Sequence, residues 1–593
     1  MAVKNNENPQ SFIEWLGFRN RLDWSKSRPL GGLLGSILLF SVSVLFFGAL
    51  FSALFVIGGI MTSGGKTSLG SGALIAALLG APFAIWGVFL KHQSLSVQKE
   101  GQLTDRISTM VGQLGADKDI KRAARDGILM TAQAEGLKTE DRLFQFESNA
   151  YPQTDVAEVE VQPWREVTLS VPNIEVRIGA ILALERIARD SVQHDNGRDH
   201  VQLMEILCEY VRSNSNSSKP QNYPEPPWKP LPDSPSSSEI RDHLAKYQDR
   251  FGQYAFGSAA YKWGRTLSEP RIDVILAMKV IARRTEEQRR IEVEWQGPSS
   301  DHEYESYFES VLKISDDLRA MISSGGMWIM LKNLRTTFRR EKIYRRKFRI
   351  DLTGANLQGL NLNNDTQAND TYDLSGSILN RCRFEGADLR KVNLVGCQFD
   401  GSKFIGANLR ETNLSFSTGT GVDFEGANLR SAVMIASHWY AFFGGARLSG
   451  GCFDLAYVTG DFVEGADLSG ATFIAADLRG ARFERSNLDK VRFDGSNLWW
   501  VQFRDLRTPI AVSFDYVSLK DVNLAEFSLV PKELDTMFGD ASVVLPQDVS
   551  APSWWPKFRL PDEHDPNHPL TTSNQYEKWV INPEGYLPPS RTV

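Results

Sequence analysis

The chain has 593 residues, 42% hydrophobic and 23% charged, with a formal net charge of −6. That length exceeds one domain, so three or four parts are expected. The charge is too mild to select a partner, and Cys208, Cys382, Cys397 and Cys452 lack paired spacing, which argues against disulfide or metal roles.

After a short N-terminal segment (1–28), residues 29–65 and 67–90 carry no charge. Each stretch is long enough to cross a bilayer, and the first is too long and too late for a cleaved signal peptide. A hairpin of two transmembrane helices is predicted over 29–92. Arg19, Arg21, Lys26 and Arg28 precede it, Lys91 and Lys99 follow it, and the connecting loop holds only Lys66. The positive-inside rule then puts both chain ends in the cytoplasm, as in a multi-pass protein of the cytoplasmic membrane. The loop GGIMTSGGKTS (58–68) is no phosphate-binding loop, because Ile60 stands where the motif needs glycine.

Residues 93–212 read as a juxtamembrane helical region, with helices at 100–115, 173–191 and 198–214. In the second, Ile174, Ile178, Ile181, Leu182, Leu184, Ile187 and Ala188 make an apolar stripe. Its charges (Glu175, Arg177, Glu185, Arg186, Arg189) are expected to pair along a solvated face. Pro172 ends a strand-like segment, EVTLSV. Residues 213–240 form a Pro/Ser-rich linker. Residues 241–350 are again helical, with a helix at 270–290 and an insertion at 296–347. In and just after that insertion Lys332, Arg335, Arg339, Arg340, Lys342, Arg345, Arg346, Lys347 and Arg349 face Glu341 alone, and Met327, Leu331, Leu334 and Phe338 share one helical face. Three readings stay open: a helix capping the domain C-terminal to it, contact with anionic lipid or an acidic partner, and nucleic-acid binding. Nucleic acid is the weakest of the three.

From 351 to 530 the chain repeats every five residues, which is neither a helical nor a strand period. The central residues include Leu374, Phe384, Leu389, Leu394, Phe399, Phe404, Leu409, Leu414, Phe424 and Leu429, then Leu468, Phe473, Leu478, Phe483, Leu488, Phe493, Leu498 and Phe503. Two places before each stands a small or β-branched residue, such as Ala387, Val392 or Ala407. One apolar and one small residue per unit imply a solenoid with a continuous inner column. Phrases such as FEGADLRKVNL and FIGANLRETNL resemble the pentapeptide-repeat family, A(D/N)LXX. The resemblance implies a right-handed quadrilateral β-helix with four units per coil, and eight coils in about 35–40 Å at strand spacing. Cys382 and Cys397 then read as buried core thiols. The frame slips at 361–373, 436–445 and 504–513, where outward loops or small bulges are expected, and Gly419 is a defective central residue. VRIGAILALERIARDS and RIDVILAMKVIARR resemble a helical module that precedes the repeats in bacterial membrane proteins of this type. The tail 531–593, rich in Pro and Trp, has no helical or strand rhythm and is expected to wrap the last coil or the flank of the rod.

Eight histidines are scattered, no HExxH, CxxC or GxSxG is present, and Thr366 replaces the glycine a calcium loop needs. Neither an enzyme nor a cofactor or metal site is expected. The leading reading is a membrane-tethered scaffold binding an unknown protein partner through the rod. The resemblance also raises DNA mimicry toward a type II topoisomerase. With 16 Lys/Arg against 22 Asp/Glu in 351–530, however, the rod falls short of the roughly 20 net negative charges a duplex of that length carries. A third reading is a homo-oligomeric membrane sensor or pore gated by the rod.

Overall fold

The computed structural model describes residues 104–132, 138–146, 158–161, 163–194, 197–216, 219–229, 236–251, 258–294, 350–363, 372–459, 464–506, 509–561 and 569–590, with scattered helical positions between 44 and 102. Two compact units divide between Ser108 and Thr109.

In the first unit Val44, Phe47, Leu50, Phe51, Leu54 and Phe55 are helical, and Phe51 and Phe55 are 73% and 76% exposed. Most of the predicted hairpin and residues 1–28 lie outside the described residues. Among the described residues no helix is long and apolar enough to cross a membrane.

The second unit opens on a four-stranded antiparallel sheet, which corrects the helical expectation for much of 93–212. The long strand β1 (Asp117–Ala132) pairs with β2 (Lys138–Phe146) and β3 (Glu158–Val161) through its second half and with β4 (Arg165–Pro172) through its first. Only β4 was legible, because DKDIKRAARDGILMTA lacks a clean alternation and its strand state is set by partners distant in sequence.

A helical module follows: α1 (Ile174–His194), α2 (Arg198–Ser215), α3 (Ser237–Phe251), α4 (Ala259–Gly264), α5 (Ile272–Ala282) and α6 (Glu286–Glu294). Ile181, Leu184, Leu203, Leu207, Val274 and Met278 form its core. Of the charges on α1, Glu175, Arg186 and Arg189 are exposed as expected, whereas Arg177 and Glu185 are buried clamps. Arg177 donates to Asp117 at 2.7 Å and to the Ala116 carbonyl at 2.9 Å, and Glu185 accepts a fork from Arg283 at 2.6 and 2.5 Å. Buried His200 reaches Glu292 at 2.8 Å, tying α2 to α6.

From Ile350 the chain winds into stacked coils joined by parallel bridges, as in Ile378–Gln398–Thr418 and Asp388–Asn408–Asn428. The usual step is twenty residues, four units of five. It is 27 from Asp351 to Ile378, 19 from Asn428 to Arg447 and 21 from Arg492 to Ser513, which are the three frame slips. Within a unit the Asn or Asp before the central residue caps the turn: Asn393 accepts from the Val395 N–H at 3.2 Å and Asp373 from Ser375 at 2.8 Å. The small inward residues satisfy carbonyls inside the coil, as Thr412 Oγ1 does at 2.8 Å from the Leu389 oxygen and Ser417 Oγ at 2.7 Å from that of Leu394. Phe384, Phe404, Phe424 and Phe443 stack with centroids 4.9–5.0 Å apart.

At the second slip a small bulge is present in place of an outward loop. Strand β6 (His438–Phe442) pairs in parallel between β5 (Thr418–Asp423) and β7 (Tyr457–Thr459), and the register of β5 shifts between Thr420 and Val422. Trp439 is fully buried at the central position directly opposite Gly419, where an added Cβ would lie 2.9 Å from the indole. A side chain that is too large and one that is missing share the volume of two ordinary ones, and Trp439 reaches Phe399 one coil further, at 5.9 Å.

The column of bridges beginning at Asp351 continues past residue 530 to Phe538, and a parallel one joins Asn523 to Val544. The rod is therefore about 43 Å long, longer than the sequence pattern indicates, because backbone pairing there persists without the side-chain pattern. Its first coil is covered by the helical module: Arg212 pairs with Asp351 at 3.0 Å, the Asn356 N–H donates to Ser215 at 3.1 Å, and the Asp373 N–H to the Ala282 carbonyl at 2.6 Å. Its last coil is covered by the tail. There α7 (Pro531–Leu534) and the unforeseen α8 (Thr572–Ile581) bring Trp579, Leu560 and Tyr586 onto Phe538, while Trp555 packs against Gly539.

The Gly419–Trp439 exchange is testable in a double-mutant cycle. Gly419→Leu overpacks the column and costs about 1–3 kcal/mol, while Trp439→Leu leaves a void. The double variant should lose less than the sum of the two, by about 0.5–3 kcal/mol in denaturant unfolding; strict additivity would show that the positions share no volume.

Candidate interaction surfaces of the rod

All of the central Leu and Phe residues named above are at most 2% exposed, so none can meet a partner. The basic residues Lys332 to Lys347 lie outside the described residues. What a partner can touch is set by the two corner residues after each central one, and the four faces differ sharply there. The faces are numbered in chain order, with Phe399, Phe404, Leu409 and Leu414 at their centres.

The second face is occupied by the chain itself. Within the segment read as a linker, 213–240, the described residues 219–229 form a strap docked on the rod: Gln221 exchanges hydrogen bonds with Gln358 at 3.0 and 2.7 Å, and its carbonyl also accepts from Arg383 at 2.7 Å. Trp228 donates to Glu464 at 2.5 Å. Helices α3 and α4 continue along the same edge, which carries Gly359, Gly386, Gly406, Gly426, Gly445 and Gly465 at equivalent corners, all with positive φ. These corners let the packed segment approach backbone to backbone. A Cβ on Gly386 would lie 2.1 Å from the Gly264 oxygen, and one on Gly406 2.4 Å from the Ala260 oxygen. One coil further the corner is Arg485, which pairs with Glu464 at 2.6 Å and lies over the Tyr247 ring.

Beside the glycines runs a row of buried acids, Glu385, Glu425, Glu464 and Glu484. Arg250 grips Glu425 with a fork at 2.6 and 2.7 Å and donates to the Pro226 carbonyl, joining rod, strap and helix at one guanidinium. Its guanidinium also lies over Tyr223 and Trp228. His243 reaches Glu464 at 3.1 Å. Desolvation dominates at three of them and at Asp423: it pushes Glu425 up to about 7 against the pull of Arg250, Asp423 up to about 6, and Glu385 and Glu484 upward.

The first face is open. Thr420, His438 and Tyr440 project outward from β5 and β6, His438 stacks on Tyr457 at 4.3 Å, and Tyr440 and Trp500 are 46% and 40% exposed. The third face shows corners at Lys391, Arg410 and Arg430 in contact with solvent, with Arg410 paired to Glu411. Among the described residues no His, Cys, Asp or Glu group could hold a metal. All four cysteines are buried outside any disulfide, and burial raises the Cys208, Cys382 and Cys397 thiols to about 12. These thiols are inert core groups. The open aromatics and the strap went unseen in sequence reasoning; the motif HWY was the signal for the first, and Trp228 among the prolines for the second.

Parallel coils with an inward Leu/Phe column and capped ends define a right-handed β-helical solenoid. The family model for pentapeptide repeats matches residues 373–404, 397–434 and 465–504, with 8 copies, and the rod is a pentapeptide-repeat domain. Among solved structures the chain is similar to HetL, a pentapeptide repeat protein involved in heterocyst differentiation regulation in the cyanobacterium Nostoc (20% identity over 28% of this chain and 84% of that one, TM-score 0.16). It is also similar to QnrB1, a plasmid-mediated fluoroquinolone resistance protein (21%, 33% and 90%, TM-score 0.23), and to a pentapeptide repeat protein of the Arabidopsis thaliana thylakoid lumen (25%, 22% and 66%, TM-score 0.07). No curated protein matches the chain.

Two outcomes are expected at the strap face. Gly386→Ala and Gly470→Ala share a φ of 68°, and an alanine there costs about 1–2 kcal/mol. Only Gly386→Ala also meets the Gly264 backbone, so it should lose clearly more thermal stability, with faster hydrogen exchange in 258–266; equal losses would show α4 is not docked there. The raised acids bind protons more tightly folded than unfolded. Stability should therefore fall as pH rises from about 4.5 to 7 through the Glu425 window and level off above it. Glu425→Gln should flatten that slope in thermal melts between pH 5 and 8.

Proposed function

We propose that the protein is a non-catalytic, membrane-tethered scaffold that presents its pentapeptide-repeat rod to a protein partner. The carrying observation is the asymmetry of the rod: its second face is sealed by its own chain, while the first remains open, with Tyr440, Trp500 and His438 beside the hydroxyls of Thr420 and Tyr457. Aromatic side chains on a rigid, preordered surface supply much of the binding energy in protein interfaces. Uncharged stretches at 29–65 and 67–90 support the tether, as do the exposed apolar side chains of the helical positions from Val44 to Phe55, which call for an apolar solvent.

Burial weighs against DNA mimicry. Among the described residues of the rod, Glu385, Glu425, Asp454, Glu464, Asp477, Glu484 and Asp494 are withdrawn from the surface, against Arg485 and Lys520, so burial removes more negative than positive charge from it. Photo-crosslinking in cells expressing the full chain tests the reading, with the probe at Thr420. A partner captured by the parent and lost at least tenfold in Tyr440→Ala and Trp500→Ala, with unchanged melting, supports the first face. Capture unaffected by both substitutions would reject it, and inhibition of gyrase supercoiling by the purified chain would reinstate mimicry.

A further inference from the structure

The third face carries more cations than its own acids can pair. Its bridged column runs through Asp388, Asn408, Asn428 and Arg447, one residue from each of four successive coils. Beside the column stand Arg390 and Lys391, then Arg410, then Arg430, and of these Lys391, Arg410 and Arg430 are exposed. Among the described residues of this strip, five cations therefore meet two acids. Asp388 is held by Arg390 at 2.9 Å, and Glu411 is shared by Arg410 at 2.5 Å and Lys391 at 3.9 Å.

Helix α4 borders the strip, seated on Gly386, Gly406 and Gly426 at the edge between the second and third faces. Arg265, at the end of α4, lies over the Tyr261 ring. The Arg447 guanidinium is held below its ordinary range first by burial, with repulsion from Arg430 adding to it and with Asp467 and Tyr261 opposing. Arg430 and Arg447 thus sit within each other's field, and Tyr261 brings Arg265 to the same edge. The coils fix the backbones of these residues about 4.8 Å apart per step, so the like charges stay in one row.

We propose that this strip binds an extended acidic segment of a partner protein, on a surface separate from the open first face. From the coil of Arg390 to that of Arg447 the rod advances three steps, about 14 Å. An extended chain presents alternate side chains every ~6.7 Å, so acidic residues at i, i+2 and i+4 span the same length. Their carboxylates suit the planar guanidinium forks of Arg410, Arg430 and Arg447. A DNA duplex is the poorer match. It carries roughly eight charges over that length, at one per ~1.7 Å, against an excess here of three cations, or four with Arg265.

The test is fluorescence anisotropy of the full chain with a short labelled peptide of alternating Glu and Thr, and with the same peptide carrying Gln for Glu. The parent should bind the Glu peptide at least tenfold more tightly than the Gln peptide, and added salt should weaken that binding. Arg410→Glu with Arg430→Glu should lower the affinity at least tenfold, and the milder Arg447→Gln about threefold, both with unchanged melting. Arg381→Glu with Lys403→Glu, two exposed positions on the diagonally opposite edge, should change it less than twofold. Equal losses in the two double variants would reduce the effect to attraction by the whole rod and overturn the assignment. Absence of binding by the parent would overturn it as well. So would tighter binding of a duplex oligonucleotide or of phosphatidylserine vesicles that is lost in Arg410→Glu with Arg430→Glu.

Discussion

The vertical hydrogen bonds between successive coils are the constraint on which every other feature of the rod depends. Each coil hands its N–H groups to the next, as Leu389 does to Asn408 and Leu409 to Asn428, at 2.8 and 2.7 Å. To keep that register a coil must turn four corners, and most of the described corners carry a residue with positive φ. The chain accepts this even at Lys391, Glu411, Phe416 and Trp500, where L-residues are strained. With the backbone locked, the interior is a column of fixed width, and a small inward residue has to accompany each large one. The Gly419–Trp439 pair shows the rule from its exception: volume is conserved along the column, not within a unit.

The same hydrogen bonds create the rod's two liabilities, its open ends, where unpaired strand groups invite association. The structure closes them by unlike means. The first coil meets the ends of α2 and α5, with Arg212, Ser215 and Ala282 supplying the missing partners. The last coil meets a cluster of Trp554, Trp579, Tyr576 and Tyr586 from the tail. One end is thus tied to the rest of the polypeptide by polar bonds, and the other is sealed by aromatic packing.

Between the ends, the corner residues decide what each face can do. Glycine corners on the second face admit another backbone, and the buried acids beside them select Arg250, Trp228 and His243 from it. Glu425 and Glu464 are tolerable there because the strap and α3 fill the space and return hydrogen bonds to them. Apolar corners on the fourth face, such as Phe416, Ile435 and Ile474, are buried. Polar and aromatic corners on the first face stay in water, within reach of a partner. What distinguishes one face of the rod from another lies in the corner columns outside the repeat core, because the central residues are buried alike on every face.

Period and composition were enough to read the solenoid. A five-residue repeat with one large and one small apolar position has no other use for its side chains, and even the frame slips map onto the coils of 27, 19 and 21 residues. The helices α1, α2 and α5 were legible for the same reason, since their apolar spacing is local. Strand β1 was not, nor the docked strap, nor the helix α8 over the last coil. Nor was it legible that Arg177 and Glu185 are buried clamps. Each of these depends on contacts between residues far apart in the chain. A proline-rich segment reads as a linker until a row of glycines and acids lies beneath it, and only the folded rod brings that row, one residue from each coil, onto a single edge.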